Sequence, residues 1–147
     1  MRVQLSLGSN LGDPAAQLRA AIKCLDATDD IHVCATSHTY ETEPVGIENQ
    51  PTFLNMAVEI ETALQPLELL ETVKTIECKV GRKQTFRWGP RVLDIDLILW
   101  EQTVINNGRL SLPHAEFRTR AFVLTPMAEI RPCAVDPVTG KTIFALA

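Results

Sequence analysis

Residues 92–100, VLDIDLILW, constrain the fold more than any other stretch of the chain. A run this apolar and this branched reads as a buried strand, yet Asp94 and Asp96 interrupt it. Residues i and i+2 of a strand project from one face, so the two carboxylates emerge side by side, roughly 6–7 Å apart. Leu93, Ile95, Leu97 and Leu99 are expected on the opposite face, in a core under helices. Carboxylates beside apolar packing cost several kcal/mol each unless positive charge meets them. Arginine partners would make this a buried ion-pair strand. A hard divalent cation would make it a metal site, since Mg²⁺ takes one or two carboxylates, several waters and phosphate oxygens.

The rest of the chain supplies elements to surround such a strand. Residues 3–7 read as a short strand and GSNLGDP as a turn. Leu18, Ile22 and Leu25 recur at helical spacing, which predicts a helix over 14–27 with Asp13 as N-cap and Pro14 at the first position. Residues 31–42 and 53–61 read as strands, separated by the loop EPVGIENQP. Leu67, Leu70, Val73 and Ile76 predict a helix over 66–80, ended by Gly81. RKQTFRWGP is then a polar, basic loop. A short hairpin is expected around Glu101 and Gln102, and a short helix before Pro132. The order β-α-β-β-α-β predicts an α+β domain of ferredoxin-like type, helices packed on an antiparallel sheet, with C-terminal additions. At 147 residues the chain is expected to form one domain.

Composition narrows the partners. A formal net charge of −4 argues against whole-protein attraction to nucleic acid or membrane. No stretch approaches a membrane span, and MRVQLSLGSN has no secretory apolar region. Cys24, Cys34, Cys78 and Cys133 are far apart and form no C-x-x-C, so a reduced, cytoplasmic protein is expected. Locally the charge reverses. Arg82, Lys83, Arg87 and Arg91 precede the two aspartates, and Arg109, Arg118 and Arg120 follow them. Carboxylates that hold metal next to guanidiniums that clamp phosphate oxygens suit a magnesium–polyphosphate substrate. GSNLGD matches neither G-x-G-x-x-G nor a Walker sequence and reads as a turn, so arginine and metal must hold the phosphates. Phe53, Trp88 and Phe122 can pack a core or stack on a flat ring, and Asn55, on an otherwise apolar strand, needs a partner if buried. An aromatic heterocycle with amide-like edges would satisfy both residue types. His114 is either structural or a phosphate contact.

GSNLGD, YETEPVG, QPTFLN, GRKQTFRWGPRVLDIDLILW and LPHAEFRTRAFVLTPM occur in this order. Together they resemble the 6-hydroxymethyl-7,8-dihydropterin pyrophosphokinases of folate biosynthesis, along nearly the whole chain. The resemblance implies transfer of diphosphate from ATP to the pterin hydroxymethyl, with release of AMP. It implies that Asp94 and Asp96 hold two Mg²⁺ ions and that Arg82 and Arg91 join them in catalysis. Thr42, Pro44, Val45, Phe53, Asn55, Trp88 and Phe122 would form the pterin pocket. Lys74, Glu77, Arg82, Trp88, Arg91, Leu97, Arg109, Ser111, His114 and Arg120 would contact ATP. A monomer working on small molecules is expected. The alternatives are a Mg-dependent nucleotidyltransferase with a palm-like sheet, or a non-catalytic ATP- or pterin-binding protein. Lys74 stands where a polar uncharged residue is common in the family, and Ala115 where Tyr or Pro is common.

Overall fold

The computed structural model describes residues 1–10, 12–42, 53–81 and 93–147. The chain runs β1 (Arg2–Ser9), α1 (Pro14–Asp26), β2 (Ile31–Thr36), β3 (Tyr40–Thr42), β4 (Phe53–Thr62), α2 (Pro66–Val80), β5 (Asp94–Trp100), β6 (Ile105–Asn106), β7 (Ser111–Leu112), a 3-10 turn (Phe117–Thr119), α3 (Ala121–Ile130) and α4 (Ile143–Leu146). The main sheet has the order β2-β4-β1-β5, with β3 added against β4. Every pairing in it is antiparallel. This is the expected ferredoxin-like topology.

Both main helices start where local chemistry says they should. The Asp13 carboxylate accepts the Ala16 N–H at 3.1 Å ahead of Pro14. Gln65 and Glu68 form a reciprocal capping box ahead of Pro66. Leu18, Ala21 and Leu25 of α1 and Leu69, Val73 and Ile76 of α2 bury one stripe each. Their core includes Val3, Leu5 and Leu7 of β1, Met56, Val58 and Ile60 of β4, and Leu93, Ile95, Leu97 and Trp100 beside or on β5.

Three features depart from the sequence expectation. The strand expected over 31–42 is broken at residues 37–39. There the Ser37 hydroxyl accepts the Ala57 N–H at 2.8 Å and donates to the His38 carbonyl at 2.7 Å, so a side chain takes over one rung of the ladder. The turn at Glu101 and Gln102 exists, closed by Thr103 N–H to Trp100 C=O at 2.9 Å. The hairpin, however, forms one step later, between β6 and β7, where the Asn107 side chain caps the N–H groups of Arg109 and Leu110. Leu99 is not under α1 and α2. A register shift between Gln4 and Leu5 makes Ile98 an extra residue in β5. From there Trp100 takes the inner face and Leu99 the outer.

The outer face has its own cover. Val123, Leu124 and Met127 of α3, Phe117 and Ile143 bury Ala57, Ile98 and Leu99. This C-terminal layer caps one half of the outer face. Its edge is held by the buried Glu59, which meets Arg2, Gln4 and Arg131 at 3.2, 2.8 and 3.2 Å. Behind it, Arg118 grips the fully buried Asp136 in bidentate fashion at 2.5 and 2.9 Å. Arg118 is therefore a structural cation here, neither a solvated one nor a phosphate contact.

Candidate active site

The half of the outer face that the C-terminal layer does not cover carries the expected site. Three strands align there in one row: Asn55 of β4 is opposite Gly8 of β1, and Gly8 is opposite Asp94 of β5. In the next row Ser6 lies opposite Ala57 on one side and Asp96 on the other. Asn55 and Asp94 are thus two strand spacings apart, about 10 Å, over a floor of small residues. Gly8 is the floor's centre. A Cβ at Gly8 would lie 2.8 Å from the Asn55 Oδ1, so only a hydrogen fits beneath that amide. The sequence reading placed Gly8 in a turn, whereas β1 continues through it. The available signal was a glycine directly after the strand run that ends at Leu7, since a glycine within a strand marks a close approach.

The ring-binding candidates gather on the β4 side. Asn55 is 5% exposed, and its Nδ2 donates to the Thr42 hydroxyl at 2.6 Å. Thr42 pairs with Phe53, and Tyr40 with Asn55. Phe53 and Phe122 are both half-buried and keep ring surface outside the core. The Arg120 guanidinium stands 5.6 Å from the Phe122 ring centre. Pro44, Val45, Arg82, Trp88 and Arg91 lie outside the described residues.

The carboxylate pair is on β5 as expected, Asp94 half-buried and Asp96 exposed. Among the described residues no group of three or more His, Cys, Asp or Glu gathers. Two adjacent carboxylates at the rim of an open face do fit Mg²⁺, which takes its other ligands from waters and phosphate.

The nucleotide candidates come from α2, β5 and the segment that follows it. Glu77, near the end of α2, accepts the Ile95 N–H at 2.7 Å and so fixes β5 between the two aspartates. Leu97 is buried in the helix-side core, so its side chain faces away from this surface. Lys74 is exposed on α2. One turn earlier, Glu71 pairs with Arg109 at 3.3 Å, an exposed contact that a phosphate can replace at little cost. Ser111 lies on β7. The His114 N–H donates to the Ile98 carbonyl at 2.9 Å, and its Nδ1 accepts the Glu116 N–H at 3.1 Å. That leaves the neutral ring's proton on Nε2, as a donor. Arg120 pairs with Glu116 four residues earlier.

Two further features were not foreseen. The Ser9 hydroxyl and both polar atoms of the Asn10 amide are buried at the end of β1 with no hydrogen-bond partner among the described residues. The Glu129 carboxylate, from α3, meets His38 and Tyr40 at the start of β3. By contrast, a groove of about 970 Å³ around Met1, His32, Glu61 and Trp100 lies at the other end of the sheet and contains none of the candidate residues. Depth alone does not locate the chemistry.

A ferredoxin-like α+β domain that carries paired acids, Asp94 and Asp96, on the outer face of its sheet defines the class. Residues 4–132 match the family of 7,8-dihydro-6-hydroxymethylpterin-pyrophosphokinase (HPPK). The chain belongs to that family. It is 49% identical over 142 residues to the 2-amino-4-hydroxy-6-hydroxymethyldihydropteridine pyrophosphokinase of Methylorubrum extorquens, covering 97% of this chain and 89% of the relative. It is 47% identical over 126 residues to the enzyme of the same name from Bacillus subtilis, covering 86% and 75%. The crystal structure of Plasmodium falciparum HPPK-DHPS, wild type with pteroate, shares the fold at a TM-score of 0.77 and 17% identity, covering 99% of this chain and 41% of that one. Among the described residues no helix is long and apolar enough to cross a membrane.

Proposed function

We infer that this chain is a 2-amino-4-hydroxy-6-hydroxymethyldihydropteridine diphosphokinase of folate biosynthesis. It transfers diphosphate from ATP to the hydroxymethyl group of 6-hydroxymethyl-7,8-dihydropterin and releases AMP. Family membership supports the reaction. The observation that ties it to this structure is the Asn55–Gly8–Asp94 row, which sets an amide and a carboxylate at the two ends of a flat, small-residue floor. A bicyclic ring laid on that floor pairs its amide edge with Asn55 and extends its hydroxymethyl arm toward Asp94.

The chemistry then divides among the side chains. Phe53 and Phe122 stack on the ring, and Asn55 and Thr42 read its edge. Asp94 and Asp96 would hold Mg²⁺, two ions by family likeness. When bound, that group neutralises the triphosphate and polarises its oxygens. The hydroxymethyl oxygen attacks the β-phosphorus, the bridge from α- to β-phosphorus breaks, AMP departs with the bridging oxygen, and the hydroxymethyl proton passes to solvent. Lys74, Arg109, His114 through Nε2, and Arg120 hold nucleotide and phosphate oxygens, with Ser111 beside them. Glu77 acts on the site by holding β5 at Ile95. Arg82 and Arg91 are the cations assigned to the transferring phosphates, and Trp88, Pro44 and Val45 to the ring pocket. Positioning and charge neutralisation carry most of such a transfer.

The domain is read as one unit over 1–147, acting as a cytoplasmic monomer on small molecules rather than on nucleic acid. Incubation with ATP, Mg²⁺ and the hydroxymethyl dihydropterin tests the activity. AMP as the nucleotide product supports it. Pyrophosphate would point to a nucleotidyltransferase, and unchanged ATP to a binding protein.

A further inference from the structure

We propose that Glu129 is a positioning residue for the pterin side of the site, anchoring β3 to α3 so that Thr42 fixes the orientation of the Asn55 amide. The proposal rests on the pterin reading above.

Strand β3 has little to hold it in place. It is three residues long and, among the described residues, pairs only with β4. A strand so short fixes its position weakly by ladder bonds. The carboxylate of Glu129 supplies what the ladder lacks. It accepts the His38 N–H at 2.9 Å, the Tyr40 hydroxyl at 2.5 Å and contacts the His38 Nδ1 at 3.0 Å. The bond from Tyr40 is the foremost cause that holds the Glu129 carboxyl below its ordinary range, and the same bond raises the Tyr40 phenol. The carboxylate is therefore stabilised in its charged, accepting form.

Its base is rigid. Helix α3 is seated by Val123, Leu124 and Met127 against Ala57, Ile98 and Leu99, independently of Glu129. The anchor therefore links a fixed helix to a loosely paired strand. From β3 the effect passes to the ligand surface in one step. Thr42 takes the Asn55 Nδ2–H at 2.6 Å, and Oδ1 then lies over Gly8. A hydroxyl can bond either end of an amide, so what Thr42 holds is the position and plane of the Asn55 side chain, and it does so only while β3 stays in register. With β3 loose, the amide loses its fixed place at the ring edge.

The test compares Glu129→Ala, Glu129→Gln and Tyr40→Phe, with Asn55→Ala as the control. Binding of the hydroxymethyl dihydropterin and of Mg²⁺ with a non-hydrolysable ATP analogue is measured separately by calorimetry. Glu129→Ala is expected to raise the pterin Kd about tenfold, the worth of one lost hydrogen-bond anchor. The nucleotide Kd should stay within about twofold. Glu129→Gln, which keeps the side chain's volume and an acceptor for Tyr40, should recover part of the affinity, and Tyr40→Phe separates the bond from packing because it keeps the ring and removes only the hydroxyl. Tyr40→Phe removes one oxygen and should weaken the pterin by about threefold to tenfold. This variant decides the matter if Glu129→Ala does not fold. An unchanged pterin Kd in Tyr40→Phe and Glu129→Ala, or equal losses for both ligands, overturns the proposal. If Asn55→Ala itself leaves pterin binding intact, the pterin reading fails first. If Asn55→Ala loses pterin binding while Glu129→Ala keeps it, only the anchor fails.

Discussion

Replacing Gly8 by alanine adds one methyl group at the centre of the floor, and its consequences can be worked out atom by atom. The new Cβ would sit 2.8 Å from the Asn55 Oδ1, well inside van der Waals contact at roughly 3.5 Å. Backbone strain is not the issue, because Gly8 lies in a regular strand. The amide must rotate away instead, and its 2.6 Å bond to Thr42 breaks. An almost fully buried amide then loses its partner, at about 1–3 kcal/mol. Alanine regains about 0.5–1 kcal/mol over glycine in a strand interior. The net stability loss is therefore modest, at most about 2.5 kcal/mol. Function should suffer more. With the amide turned and a methyl on the floor, the pterin Kd should rise at least about tenfold, or roughly 1.4 kcal/mol. The nucleotide Kd should not move. Urea unfolding gives the first quantity and calorimetry with each ligand the second. A variant of normal stability with normal pterin affinity would refute the idea that Gly8 keeps space for Asn55 and its ring.

The other predictions concern different parts of the site and fold. Asp94→Ala and Asp96→Ala should each lower kcat by at least about a hundredfold while the protein stays folded, as judged by circular dichroism with steady-state kinetics. Activity retained per folded molecule would make the pair structural. Glu77→Ala should cost about 1–3 kcal/mol, because the Ile95 N–H loses its acceptor, and urea midpoints measure this. Asp136 sets an acid limit. Arg118 beside it holds its carboxyl at about 2 against an ordinary 3.8. Its folded pKa is depressed, so its stabilising contribution, about 2 kcal/mol, is complete above pH 3.8 and lost as pH falls through 2. Unfolding measured from pH 6 to pH 2 should show a steep loss at the acid end that Asp136→Asn flattens.

How much of this could be read in the sequence depends on the distance over which each signal acts. Helix starts were legible, because Asp13 acts with Pro14 within one turn and the apolar spacing from Leu67 to Ile76 is local, although the Gln65–Glu68 capping box emerged only in the structure. The face shared by Asp94 and Asp96 was legible, because strand alternation is local. The break at Ser37 was not, because the hydroxyl competes with the ladder through Ala57, twenty residues away. Nor was the displacement of Leu99, which depends on one extra residue relative to β1. Asn55 was singled out for its unsatisfied polarity, and Thr42 proved to be its partner. Gly8 and Glu129 were missed because their meaning lies in cross-strand and helix-to-strand contacts. The His38–Glu129 contact spans 91 positions.

The bulge at Ile98 explains why the open half of the sheet lies where it does. Before it, β5 keeps strict alternation: Ile95 and Leu97 pack inward, Asp94 and Asp96 face out. After it, Leu99 and Ile98 face outward together and Trp100 turns in. A strand without the extra residue would send Leu99 under α1 and α2 and leave Trp100 outside. The outer face would then lack the Ile98–Leu99 pair on which Phe117, Val123 and Met127 now rest. One inserted residue therefore divides the strand into an acidic half that bears Asp94 and Asp96 and an apolar half that seats the C-terminal layer. That same layer carries Glu129 to β3 and places Arg120 and Phe122 at the border. The site's two sides are thus tied to one seam in the sheet.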